Sequence, residues 1–200
     1  MKKLLLSFLF IAVGLTCWAD EYYIVGDATP FGWVTGDARK PTQLKETSEG
    51  SGVFEWTGLL KHGGDASGNG FFICNSLSGW NGYGASTNQI AISDIGDDVY
   101  TSGDNKWNPT NTDWQFYTIK LDKNNGTLSW KAGEPFVADD EGFYRISNAT
   151  DLYWFAALVN NNQSIKGKLT ADIDYTAYPQ GFIGTQAKPF KGVFDGQEPP

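Results

Sequence analysis

The 200-residue chain is poor in several residue types on which common chemistries depend. It has one histidine, His62, and two cysteines, Cys17 and Cys74. A closed Cys/His zinc site needs four such ligands, so none can form here. His62 stands beside Lys61 and Gly63-Gly64, and the chain has no Gly-x-Ser-x-Gly elbow. It reads as a solvated loop residue rather than a catalytic base. Basic residues are also scarce. Fifteen Lys and Arg stand against 23 Asp and Glu, a formal charge of −8 with no basic run. A protein that neutralises a phosphate backbone needs a basic patch, so nucleic acid is excluded as a partner. The only long apolar run is at the start, which leaves no other candidate membrane span.

That opening run has the layout of an export signal. Lys2-Lys3 is followed by LLLSFLFIAVGLT, short for a bilayer span and typical of a secretory h-region. Cleavage after Ala19, with Cys17 and Ala19 at the recognition positions, starts the mature chain at Asp20. Thirteen basic residues then face 23 acidic ones, a charge of −10. A second option is lipidation of Cys17, preceded here by Gly14-Leu15-Thr16. In either case Cys74 has no intramolecular partner and reads as a buried thiol within Phe71-Phe72-Ile73-Cys74.

What the chain does have is 24 glycines and 8 tryptophans. Glycine marks tight turns and tryptophan is kept for cores and binding faces, a pairing that argues against an all-helical bundle. From Glu21 to about Lys131, short apolar runs alternate with turn residues, which predicts an all-β domain over 20–131. Strands are predicted at Tyr22–Val25, Val53–Thr57, Phe71–Cys74 and Gln115–Leu121. Phe116–Leu121 and Thr127–Trp130 flank Asn125-Gly126, the pair that tolerates the positive φ of a tight hairpin turn. Tyr117, Ile119 and Leu121 then share one face, as do Leu128 and Trp130 on the partner strand. The fold class that follows is an antiparallel, immunoglobulin-like β-sandwich.

Lys131 to Glu141 reads as a linker, assigned over 132–141, and the pattern changes beyond it. Phe143–Ile146 predicts a short strand, and Asn148 with Asp151 three residues later predicts a capped helix. Leu152, Phe155, Ala156 and Val159 give that helix one apolar face, and Asn160-Asn161-Asn162 ends it. Leu169, Ala171 and Ile173 alternate as a strand, Tyr178–Gly184 turns, and Phe190–Phe194 forms another strand. This small α+β segment, 142–200, is expected to have little on which to bury its apolar face.

Tyr23-Ile-Val-Gly-Asp-Ala-Thr-Pro-Phe-Gly-Trp33 resembles the opening of modules in the SusE/SusF family of outer-membrane starch-binding proteins. The resemblance extends through Phe54-Glu-Trp-Thr-Gly-Leu-Leu60 and Gly79-Trp80-Asn-Gly-Tyr83-Gly-Ala85. Where the family tends to read Phe-Lys-Phe, this chain has Phe71-Phe72-Ile73. The resemblance implies a secreted β-sandwich that holds malto-oligosaccharides without cleaving them. Tyr144–Ala156, Leu169–Asp174, Ile183-Gly-Thr185 and Pro189–Gly196 are similar to the entry segment of bacterial β-helix surface proteins that carry the GLUG motif. That resemblance implies the N-terminal cap of a parallel β-helix, and a solenoid needs about three stacked repeats for a continuous core.

A sugar-binding surface needs flat aromatic faces for the C–H faces of a pyranose and polar groups for its hydroxyls. Trp80, Tyr83 and Trp107 lie in Gly/Asn/Ser-rich stretches that read as display loops, with Asn81, Asn105 and Lys106 as polar partners. Trp33 either closes the first turn or joins the platform. Trp56, Trp114 and Trp130 lie on or beside strands and are assigned to the core. Asp94-Ile-Gly-Asp97-Asp98 and Asp172-Ile-Asp174 lack EF-hand spacing, so no metal or cofactor is expected. The reading is a secreted, non-catalytic protein that binds a glucan- or starch-like polysaccharide at the bacterial surface, with association to the outer membrane. The alternative is a structural or adhesin-like protein in which the sandwich is a spacer and the β-helix segment mediates interaction.

Overall fold

The structure, a computed structural model, describes residues 20–66, 68–174 and 183–196. The export segment, Cys17 and most of the Tyr178–Gly184 turn lie outside the described residues. Over the described residues the chain forms an all-β sandwich followed by a small parallel sheet and an α-helix. The strands of the first part are β1 Tyr22–Val25, β2 Gln43–Glu46, β3 Val53–Leu60, β4 Phe72–Cys74, β5 Gly82–Gly84, β6 Gln89–Ile92 and β7 Ile95–Val99. They continue as β8 Thr101–Ser102, β9 Lys106–Pro109, β10 Gln115–Asp122 and β11 Thr127–Pro135. Nine of them pair antiparallel in the order β7-β11-β10-β3-β2-β1-β4-β5-β8, and β6 pairs parallel with β9.

Strand β2 is the corner between the two layers. Its first half, Gln43 and Leu44, pairs with β1, and its second half, Lys45 and Glu46, pairs with β3. The two ends of the order, β7 and β8, are separated in the chain only by Tyr100, so the sheet nearly closes on itself. Side-chain alternation fills the interior: Tyr117, Ile119 and Leu121 of β10 are buried, as are Leu128 and Trp130 opposite them on β11 and Phe54 and Trp56 on β3. Strand β1 is buried at all four positions because both of its faces are covered. Trp56 and Trp130 are core residues as expected, whereas Trp114 is half-buried under the Lys61 ammonium, 4.7 Å from its ring centre.

The β10–β11 hairpin forms in the expected pairing, but its turn is wider than a two-residue Asn-Gly loop. Asp122 pairs with Thr127, so Lys123–Gly126 form the loop. The Asp122 carboxylate accepts from the Asn124 and Asn125 amides and from the Asn125 side chain, while Gly126 takes the positive φ of +69°. The expected linker also proves structured at both ends. Ala132–Pro135 complete β11 and the Phe136 ring is buried.

The remaining elements are β12 Phe143–Ile146, α1 Ala149–Val159, β13 Lys166–Leu169 and β14 Phe194–Asp195. The strands pair parallel in chain order, each added beside the last. Strands β13 and β14 differ from the expected Leu169–Ile173 and Phe190–Phe194, since the parallel register with Phe143–Ile146 selects Lys166–Leu169. Asn148 caps α1, its side chain accepting from the Asp151 amide at 2.9 Å. The helix is not short of partners. Residues Trp154–Val159 are buried in an unbroken run, because two different surfaces cover the helix. Phe155 packs on Tyr144 and Phe194 of the parallel sheet, while Trp154 meets Trp56 edge-on at 5.7 Å and Phe31 at 5.9 Å. Gly58 makes the second contact feasible, since a Cβ there would lie 2.3 Å from the Trp154 ring.

Candidate functional site

The turn after β1 is built by its own short side chains. The buried Thr29 hydroxyl donates to the Gly26 carbonyl at 2.9 Å and accepts from the Phe31 and Gly32 amides. Asp27 accepts from the Gly70 amide at 2.6 Å, tying the turn to the entry of β4. This compact loop delivers Trp33 over the outward face of β4, where its ring centre lies 6.0 Å from that of Phe72. Trp80 arrives from the β4–β5 connection, which the Asn75 amide closes by donating to the Asn81 carbonyl. Its ring stacks on Phe72 at 6.3 Å and 22° and stands 6.2 Å from Trp33. Trp80 is 49% exposed and Trp33 41% exposed, so part of each indole surface faces water.

These rings form one wall of an open cleft of about 720 Å³. Tyr83 and Gly82 of β5, Asn75, Asn81, Asp104 and Lys106 complete the part of the lining that carries chemistry. Gly82 is there because β4 and β5 run too close for a side chain: a Cβ would lie 1.7 Å from the Ile73 carbonyl oxygen. Tyr83, expected in a loop, is on β5, and its ring packs against Tyr22 and Tyr100.

Five of the seven residues singled out from the sequence thus line one cleft: Trp33, Trp80, Asn81, Tyr83 and Lys106. The other two do not. Trp107 is fully buried on β9, its backbone paired with Phe71 and its indole N–H donating to the Asp98 carboxylate at 2.9 Å. With its one polar atom satisfied inside, the ring belongs to the core, and Trp107 is removed from the platform. Asn105 is likewise a structural residue, donating to the Ala85 carbonyl. His62 is half-buried rather than solvated. Its Nδ1 accepts from the Gly64 amide and its Nε2 lies 3.4 Å from Asn108.

One residue the sequence did not reveal governs the site. Arg39, in the 3-10 turn Gly36–Thr42, is completely buried. Its Nε donates to the Val34 carbonyl at 2.7 Å, beside Trp33. Its Nη1 donates to the carbonyls of Ser76 at 2.7 Å and Gly79 at 2.8 Å, in the loop that carries Trp80. The guanidinium carbon sits 4.7 Å from the Trp80 ring centre. A planar fork with several donors suits this task, so one side chain fixes both aromatic loops. Lys106 is the other unusual group. Its ammonium lies 4.7 Å from the Phe72 ring centre and 5.4 Å from that of Trp33, and it donates to the Asp104 backbone carbonyl. Burial pulls its pKa below that of an ordinary lysine, partly opposed by the neighbouring Asp104.

Among the described residues no three His, Cys, Asp or Glu side chains converge as a metal site. Set against known protein families, curated proteins and solved structures, the chain has no significant match.

Proposed function

We propose that the chain is a secreted, non-catalytic glycan-binding protein whose cleft takes a glucan- or starch-like polysaccharide at the bacterial surface. The observation that carries the reading is the pair of half-exposed tryptophans, Trp33 and Trp80, set beside Phe72 and bordered by Asn75, Asn81, Tyr83 and Lys106. Apolar ring faces match the C–H faces of a pyranose, and the amides and ammonium match its hydroxyls. The cleft is open rather than enclosing, which suits a polymer and implies affinity in roughly the micromolar-to-millimolar range. The test is affinity electrophoresis and tryptophan-fluorescence titration against starch and other glucans. Retardation by wild type and its loss in the Trp33→Ala, Trp80→Ala double variant support the proposal. No retardation by any glucan defeats it, and turnover of a polysaccharide by the purified protein defeats its non-catalytic part.

A second reading has its own observation. The parallel strands β12, β13 and β14 step in one direction, as the first rungs of a solenoid do. On that reading the chain is a structural or adhesin-like surface protein and the sandwich is a spacer. Partner binding would then survive the double tryptophan variant intact.

A further inference from the structure

Arg39 and Lys106 are the only charged side chains buried among the described residues, and both lie against the rings of this one cleft. The chain around them is acidic, with a formal charge of −8. A buried charge is retained at a cost unless something compensates it. For Arg39 the compensation is visible in three backbone carbonyls, although Nη2 has no hydrogen-bond partner and no carboxylate of the described residues lies within ion-pair distance. For Lys106 it is partial. Its ammonium donates to one backbone carbonyl, and the nearest carboxylate, Asp104, is 3.8 Å away on a side chain that is 89% exposed. The two aromatic rings offer the ammonium only their faces, a weaker partner than a well-placed carboxylate.

We propose that the cleft takes an anionic sugar, a pyranose bearing a carboxylate or a sulfate, whose charge sits at the Lys106 ammonium while its ring lies against Trp33 and Trp80. This rests on the glycan-binding reading and narrows its substrate class. Arg39 stands behind Trp80 rather than in the lining and adds positive potential without touching the ligand. An acid group meeting a poorly solvated ammonium adds a closer counter-charge than the exposed Asp104 carboxylate. It also favours the charged form of the ammonium, which burial disfavours.

The test uses one glucan backbone in three forms: soluble starch, carboxymethyl starch and sulfated starch, titrated by tryptophan fluorescence and calorimetry at physiological salt. The charged forms should bind about ten- to a hundredfold more tightly than the neutral parent, the range of a charge-assisted hydrogen bond. The two charged arms separate carboxylate from sulfate recognition. Because the protein is itself acidic, its overall field repels a polyanion, so nonspecific electrostatics works against this outcome. Lys106→Met should bring the charged forms to within about threefold of neutral starch, whereas Lys120→Met, an equal charge change on the outward face of β10, should leave the preference intact. Equal or tighter binding of neutral starch by wild type overturns the proposal and leaves glucan binding standing. So does a preference that survives Lys106→Met. Failure of all three forms to bind removes the glucan reading itself, and this proposal with it.

Discussion

Replacing Arg39 tests whether one side chain holds both aromatic loops. Arg39→Met keeps most of the apolar stem and deletes three charge-assisted hydrogen bonds, to Val34, Ser76 and Gly79. Hydrogen bonds to a charged group contribute about 1.5–3 kcal/mol each, but the buried guanidinium loses hydration that offsets much of their sum. The expected loss of stability is therefore about 3–5 kcal/mol, in line with breaking a buried charged network. For a chain of this size that corresponds to a fall in Tm of roughly 10 °C. Arg39→Lys separates geometry from charge. A lysine keeps the cation but cannot reach carbonyls from two loops with a planar fork, so it should lose nearly as much. Urea unfolding followed by tryptophan emission gives the stability, and near-UV circular dichroism reports the ordering of Trp33 and Trp80. If Arg39→Lys lies within about 0.5 kcal/mol of wild type with unchanged near-UV spectra, the fork is not what fixes the loops.

Gly82→Ala should destabilise by about 3 kcal/mol or more and weaken ligand binding, because a Cβ 1.7 Å from the Ile73 carbonyl oxygen forces β4 and β5 apart beneath the cleft. Thermal unfolding and the starch titration check it, and an unchanged Tm would contradict the close approach. Lys106→Met should stabilise the fold at neutral pH by about 1 kcal/mol, since it removes a poorly compensated buried charge. The pH dependence follows from the lowered pKa. Between the folded value and the ordinary 10.5 the unfolded chain binds more protons, so wild-type stability rises with pH there and the advantage of Lys106→Met shrinks. Urea midpoints of both proteins from pH 7 to 11 measure this, and a constant difference across the range would refute it.

The strongly periodic parts of the fold were legible in the sequence. The β10–β11 pairing came from alternation around Asn125-Gly126, and the start of α1 came from Asn148 and Asp151, all local signals. The Gly26–Trp33 turn is likewise local, since Thr29 and the glycines act within a few residues of one another. Elements held by distant backbone contacts were not. Strands β5 to β9 are two to five residues long, too short for a clear alternation, and they exist because their partners approach closely, as Gly82 does to Ile73. Trp107 was misplaced for that reason: a polar neighbourhood suggested a loop, but the pairing with Phe71 and the bond to Asp98 put the indole inside. Arg39 gave no signal, because its acceptors are backbone carbonyls up to 40 residues away and carry no side-chain signature. The helix face was read as a single stripe when it was two, since the partner of Trp154 lies on β3, almost a hundred residues earlier in the chain.

The two buried cations divide the work of the cleft. Arg39 binds carbonyls of the loops it joins, so its charge is used for shape and its loss should appear first as loss of fold. Lys106 joins no loops. Its removal should relieve the fold, and the proposed reason to keep it is the acid group of a ligand. That opposition is what lets stability and binding be read separately: a variant that gains stability and loses discrimination identifies a ligand-directed charge, whereas one that loses both identifies a structural one. Arg39→Met and Lys106→Met should fall on opposite sides of that line although each deletes one buried positive charge beside the same rings.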